Sequence, residues 1–514
     1  MTKNKTSNVG LLFLLACCTA SAQSFRVQCP ANTPTHPGVN NLEPAYTGAT
    51  TASNVNGAIK CQEVSGGDGF ATMADGSQTY MFSFGPLSGL ADIANGLPGT
   101  QFPSVFNMPW SGTPKPGDPA TTMLANGAGS FGYNGAIGLA PDPEKNGAID
   151  GHVDPRQMMD IGVMNGNIPA PLVAIDEDDE LFLTLSNVGM IMRPDLFEQH
   201  TIHFHGYPNA SSFYDGVPDA SVAINIGGSF TYYYLAPDAG TYFWHCHISP
   251  PEHLQMGMVG QLYVRPRQNR VPSTMTLYSA LQAQQNDLRT ACNTASDILC
   301  STSLPVGGDN NTPGSYSNGM AGKKYAYNDG DGTTSYDVEY PLQIHGFDPN
   351  FHFVGMTFNP ENFATMKDKY FLLNGRSYPD TISSGAMTTE TSDGNKHFSQ
   401  PLASIINIPA GGRALLRISD LDVTEYQTLA SMGIPMKVIG QNAKLLRDQA
   451  GNNMYYNTNS ITLAGGESID VILDASNKTL YPSGSVFYLY TPNLDHLSND
   501  AENFGGLMTE VHIN

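Results

Sequence analysis

His200-Thr-Ile-His203-Phe-His205-Gly206 and Gly240-Thr-Tyr-Phe-Trp-His245-Cys246-His247 are the two runs from which the rest of this chain can be read. With His253 and Met258 just downstream, they gather six of the thirteen histidines of a 514-residue protein. Alternation along a strand puts both members of an H-x-H pair on one face. Two such pairs on neighbouring strands therefore present four imidazoles, His203, His205, His245 and His247, to one place. Cys246, lying between His245 and His247, points to the opposite face.

That opposite face has its own donors. Cys246, His253 and Met258 follow one another within one loop, and His200 is the natural second imidazole from another strand. A thiolate, two imidazoles and a weak axial thioether make the trigonal blue-copper arrangement. The five-residue step from His253 favours Met258 over Met256 as the axial group. Two metal sites would then be joined by a few covalent bonds through Cys246, which is an electron relay.

The surrounding sequence sets these residues on short strands. Leu181, Leu183 and Leu185 alternate with other residues, and Val222 to Ile226, Phe230 to Leu235, Thr241 to His245 and Val259 to Val264 continue the series. Turn signals recur between them, as at Ala236-Pro-Asp-Ala-Gly240. Short strands at such spacing predict a β-sandwich over residues 160–268. Residues 23–160 are rich in Gly, Pro, Asn and Ser and read as a long irregular N-terminal extension. Residues 269–335 read as a linker. A second β domain is expected over 336–514, marked by Tyr370-Phe-Leu-Leu-Asn-Gly, Ile408-Pro-Ala-Gly-Gly-Arg, Met436-Lys-Val-Ile-Gly440 and Leu463-Ala-Gly-Gly-Glu. It contains no Cys and no H-x-H pair, so it holds no blue-copper site.

The segments His203-Phe-His-Gly206, Asp215-Gly216-Val-Pro, Gly240 to His247 and His253-Leu-Gln-Met-Gly-Met258 together resemble the multicopper oxidases and the related copper nitrite reductases. The resemblance covers residues 160–268 strongly and 340–514 moderately. It implies an all-β fold of two cupredoxin-type, plastocyanin-like Greek-key domains. It also implies copper of type 1 at His200, Cys246, His253 and Met258, and type 2/3 copper at His203, His205, His245 and His247. Oxygen is the implied acceptor. The donor is a small-molecule or metal-ion reductant, or a redox protein. A full trinuclear cluster in that family takes H-x-H pairs from two domains, and this chain supplies pairs from the first alone. In nitrite reductases the second domain lends one histidine to a neighbouring subunit of a trimer, and His496 looks like that residue. The resemblance thus implies a homotrimer with His496 facing the imidazoles of a neighbour. The nitrite-reducing Asp and His are replaced, the former by His203 and the latter near Lys437. Oxidase chemistry is therefore expected ahead of nitrite reduction, or of a blue-copper electron-transfer role without turnover.

Compartment follows from the N-terminus. Lys3 and Lys5 precede the apolar run Leu11 to Ala16, and Ala20-Ser21-Ala22 is a small-residue cleavage site, so residues 1–22 read as an export signal, with the periplasm as destination. Leu14-Leu15-Ala16-Cys17 offers a lipoprotein-anchored alternative. Export permits disulfides, and Cys29–Cys61 and Cys292–Cys300 are the expected pairs. His36 and His152 read as surface or structural. A net charge of −22 argues against nucleic acid or anionic lipid as partner, and no later run is apolar enough for a membrane span.

Overall fold

The structure, a computed structural model, describes residues 27–34, 36, 58–89, 92–93, 95–107, 164–206, 211–236, 238–270, 324–329, 332–357, 362–390 and 396–514. The export signal, residues 108–160 with His152, and the Cys292–Cys300 pair lie outside these residues. No helix among the described residues is long and apolar enough to cross a membrane.

Two β-sandwiches make up the described chain. The first has strands β1 (Ile59–Thr72), β2 (Gln78–Pro86), β3 (Val173–Asp176), β4 (Glu180–Gly189), β5 (His203–Phe204), β6 (Ser229–Leu235), β7 (Gly240–His245) and β8 (Val259–Arg265). One sheet runs β2-β1-β4-β6 and the other β3-β8-β7-β5. Sequence neighbours often sit in opposite sheets, as Greek-key crossovers require. Leu181, Leu183 and Leu185 of β4 and Tyr232 and Tyr234 of β6 face Trp244 of β7 and Leu262 and Val264 of β8 across one buried core. The predicted alternation of β4 is what delivers those leucines to a single face.

The expectation of an irregular extension over 23–160 is corrected for residues 59–86. β1 pairs parallel with β4 from Ile59↔Glu180 to Gly67↔Gly189 and antiparallel with β2. Its central Ser65-Gly-Gly-Asp-Gly69 lacks the β-branched residues that mark strands, and glycine is depleted in them. The strand forms because Val64, Phe82 and Phe84 join the first core and tertiary burial overrides propensity. The Cys29–Cys61 disulfide ties the N-terminal segment to β1. His36 is structural, its Nδ1 lying 2.6 Å from Glu180 Oε1.

The second sandwich packs a seven-stranded sheet, including Val338–Phe347, Arg413–Asp420, Met436–Gln441 and Ser468–Asp474, on a five-stranded one that includes Gln427–Met432, Val486–Tyr490 and Met508–Ile513. The linker expected over 269–335 also needs correction at its end. Lys324–Tyr325 and Ser335–Tyr336 pair as a short hairpin, with Tyr325, Tyr327 and Tyr336 buried. Aromatic side chains gave that end something to bury despite its Gly- and Asn-rich sequence.

The two sandwiches share buried contacts. Ala71, Met81, Phe243 and Val259 of the first pack with Phe347, Tyr370, Leu372 and Leu421 of the second. A buried ion cluster adds to this. Glu339 accepts from Arg265 Nη2 at 2.6 Å and from Arg417 Nε at 3.0 Å. Burial pushes the Glu339 carboxyl up, but the two guanidinium groups outweigh it and hold it at about 2. A depressed carboxyl stabilises the fold above its unfolded value, near 4.5, and that contribution is lost as pH falls toward 2. Glu339→Gln should cost roughly 3–5 kcal/mol at neutral pH, because it leaves buried cations uncompensated. It should also flatten the acid limb of stability measured by urea unfolding between pH 5 and 2. An unchanged acid limb would show that the cluster does not carry it.

Candidate metal centre

The register of β5 on β7 places His203 opposite His245 and Phe204 opposite Trp244. Phe204 and Trp244 go into the core, so the histidines face the other way, as alternation requires. His203, His205 and His245 form one group, with a nitrogen from each within 4.8 Å of the others. The Nε2 atoms of His205 and His245 are 3.0 Å apart. His247 stands at the edge of this group, its ring centroid 5.0 Å from that of His203 and 5.5 Å from that of His245.

Two of the inner imidazoles are oriented through their other nitrogen. His203 Nδ1 donates to the Asp215 carbonyl at 2.6 Å, and His245 Nδ1 to the Cys246 carbonyl at 2.6 Å. His205 lies against Gly466 of the second sandwich, where an added Cβ would come 3.0 Å from its ring. Such second partners fix tautomer and ring direction in metal-ligating histidines. Burial, then the neighbouring imidazoles, push the His205 pKa down to about 4, and burial holds His245 well below the usual histidine range. Both imidazoles are thus neutral and available as ligands.

Cys246, His200 and His253 form the second group, all fully buried. His253 Nδ1 lies 3.2 Å from Cys246 Sγ and His200 Nδ1 4.0 Å from it. Burial pushes the Cys246 thiol up, but His253 and the N–H of Thr201, 3.4 Å from the sulfur, bring it below its ordinary value. His253 comes from the helix Pro250–Gln255, which starts at two prolines preorganised for a first turn. Met258 follows that helix, and its carbonyl accepts from Cys246 N at 3.1 Å, which sets the two residues side by side. Met256 is buried in the same core.

Copper, the metal implied by the resemblance, fits both groups by their donor chemistry. The first offers converging imidazole nitrogens, and the second nitrogens of His203 and His245 are already committed. The second offers a sulfur with two Nδ1 atoms turned toward it in a fully buried pocket. Thiolate and imidazole together suit copper, while the carboxylate and carbonyl donors that suit calcium or magnesium are not part of either group.

His496, expected to face the histidine group of a neighbouring subunit, is placed within its own sandwich instead. It is 3 % exposed and stacks on Phe371 at 3.8 Å. Its Nδ1 meets Gln427 Oε1 and its Nε2 meets Asn493 Nδ2, each at 2.9 Å. The local Asn493-Leu-Asp-His496 sequence forms a 3₁₀ turn capped by Asn493, and that turn tucks the ring inward.

Other contributors had weak or no signals in the sequence. Glu198, two residues before His200, reaches His253 Nε2 at 3.6 Å. His253 beside it holds its carboxyl below the usual carboxylate range. Gly66 of β1 lies against His200, and a Cβ there would come within 2.5 Å of the ring. The second sandwich also lines a pocket over the first group, where Asp422, Thr424, Glu425 and Tyr426 face His205 and His245.

Residues 148–269 match the family model described as multicopper oxidase. Over 122 residues the chain is 34 % identical to a multicopper oxidase of Talaromyces pinophilus, a match spanning 23 % of this chain and 19 % of that one. Over 109 residues it is 34 % identical to a laccase of Aspergillus fumigatus, covering 21 % and 17 %. The matched stretch is thus under a fifth of either relative's length. A blue copper oxidase structure from Nitrosomonas europaea superposes with a TM-score of 0.48 at 16 % identity, over 88 % of this chain and 85 % of that one. The stretch similar to multicopper oxidases contains both histidine groups and Cys246.

Proposed function

We propose that this chain is an exported copper-dependent oxidoreductase that takes electrons from a donor at a type 1 copper and passes them to oxygen at a second, histidine-bound copper site. His200, Cys246 and His253, with Met258 axial, would hold the first copper. His203, His205 and His245, with His247 at their edge, would hold type 2/3 copper. Copper so bound supplies one-electron redox chemistry.

The observation that carries the proposal is the position of Cys246. Its sulfur belongs to one group, while its chain neighbours His245 and His247 face the other. A short covalent path therefore joins the two ligand sets. The protein's own work is to bury the thiolate, exclude water from it and hold the imidazoles in one tautomer. Glu198 is partly exposed and lies 3.6 Å from the buried His253, which supports donor entry on that side. The homotrimer that the resemblance implies is part of this proposal.

Copper analysis with oxygen uptake tests this reading. The expected result is copper in both groups and oxygen consumption with a phenolic or metal-ion donor. Copper confined to the Cys246 group, with no turnover, would make the protein an electron carrier. Nitrite turnover without oxygen uptake would make it a reductase.

Glu198 gives a separate expectation. Glu198→Gln should raise KM for a cationic reductant about tenfold, equivalent to about 1.4 kcal/mol, and leave a neutral phenol nearly unchanged. Equal losses for both donors in steady-state assays would assign Glu198 to orienting His253 alone.

A further inference from the structure

The loop that carries His253 and Met258 is fastened to the second sandwich by the side chain between them. Gln255 ends the helix Pro250–Gln255 and is fully buried. Its Oε1 accepts from Asp348 N at 2.8 Å, and its Nε2 donates to Asp368 Oδ1 at 3.0 Å. A backbone N–H only donates, so the amide is fixed with its oxygen toward Asp348. Both partners belong to the second sandwich. The loop itself closes tightly, with Gly257 N donating to the Leu254 carbonyl at 3.0 Å and Met258 N to the His253 carbonyl at 2.8 Å. Residues 253–258 therefore move as one piece with Gln255.

The receiving end is rigid. Asp348 follows the strand Val338–Phe347 and caps the helix Pro349–Gly355, its Oδ1 accepting from Asn350 N at 2.9 Å and Phe351 N at 3.3 Å. Its Oδ2 accepts from Lys367 N at 2.8 Å. Asp368 leads into the strand Tyr370–Leu373 and accepts from Thr424 Oγ1 through its other oxygen. Leu254, beside Gln255, packs with Phe347 and Tyr370 of the same sandwich. Apolar packing seats the loop, and the amide fixes its height.

We propose that Gln255 is a positioning residue of the Cys246 group: through it the second sandwich sets where His253 and Met258 stand against the Cys246 sulfur. The inference rests on the reading that this group holds type 1 copper. The approach of the weak axial group tunes the potential of such a site. Met258 is that group, three residues beyond Gln255, and its carbonyl accepts from Cys246 N at 3.1 Å. The second sandwich thus takes part in a site to which it supplies no ligand among the described residues.

Gln255→Leu keeps the volume and removes both bonds. In copper-loaded full-length protein it should shift the thiolate-to-copper absorption and the reduction potential of the Cys246 site. It should also lower copper affinity there roughly tenfold, the low end of what losing a partner outside the ligand set costs. The non-blue EPR signal of the histidine group should stay as in the parent. A residue serving stability alone would leave the absorption and the potential unchanged, and that result in folded Gln255→Leu would overturn the inference. In the metal-free protein, alkylation of Cys246 by iodoacetamide, followed by peptide mapping, should run roughly tenfold faster in the variant, because a loosened loop opens locally more often. Equal alkylation rates would overturn the inference whatever the copper does. If Gln255→Leu does not fold, Gln255→Glu takes its place in both assays, since it keeps the bond from Asp348 N and loses the one to Asp368. A parent that holds copper at Cys246 without colour would defeat the functional reading, and the alkylation rates would still decide whether Gln255 holds the loop.

Discussion

Copper-loaded Cys246→Ser protein should lose its intense visible absorption, and donor oxidation should fall by more than the 10–100-fold typical of losing an outer-shell partner. The expectation follows from the sulfur's surroundings. Cys246 Sγ is fully buried, 3.2 Å from His253 Nδ1, and accepts from Thr201 N–H. These contacts favour thiolate over thiol, and thiolate-to-copper charge transfer is the source of colour in such sites. Serine keeps the shape and removes the soft donor. Its hydroxyl does not ionise near neutral pH. Absorption spectra of parent and variant, each with copper content measured, make the comparison. A parent protein that holds copper in this group without colour would remove Cys246 from the site.

Replacing His205 by alanine should separate the two groups. The blue absorption should remain, because His205 lies on the far side of β7 from Cys246 and touches neither His200 nor His253 in the described contacts. Non-blue copper should fall sharply, and oxygen uptake should drop by more than roughly 100-fold, beyond what loss of an outer partner costs. The oxidised variant should still be bleached by its donor, since electron entry does not require His205. EPR of the oxidised variant and single-turnover bleaching under anaerobic conditions would read the two halves independently. Loss of the blue signal together with the non-blue one would mean that the groups do not fold as separate sites.

The histidine pairs were legible because strand alternation is local. From His203-Phe-His205 alone, Phe204 must point opposite to the imidazoles, and the structure sends it into the core. The order Cys246, His253, Met258 was legible for the same reason, as one loop carries all three. β1 was not. Its Ser65-Gly-Gly-Asp-Gly69 run has no period and poor strand propensity, and only its pairing with β4 and β2 makes it a strand. The value of glycine at 66 appears when the His200 ring is brought against it from far along the chain. His496 was harder to read for another reason. A local likeness in sequence suggested an outward ligand, whereas Gln427, Asn493 and Phe371 draw the ring into its own core. Nothing near His496 in sequence announces Gln427 or Phe371. Gly466 was equally silent, since its partner is supplied by the other sandwich.

X-ray diffraction recorded on either side of the copper absorption edge from copper-loaded crystals tests the central claim most directly. The account predicts anomalous density at two places. One peak should lie between Cys246 Sγ and the Nδ1 atoms of His200 and His253. The other should lie among the Nε2 atoms of His203, His205 and His245. A single peak at Cys246, with none among the histidines, would contradict an oxygen-reducing enzyme joined through Cys246.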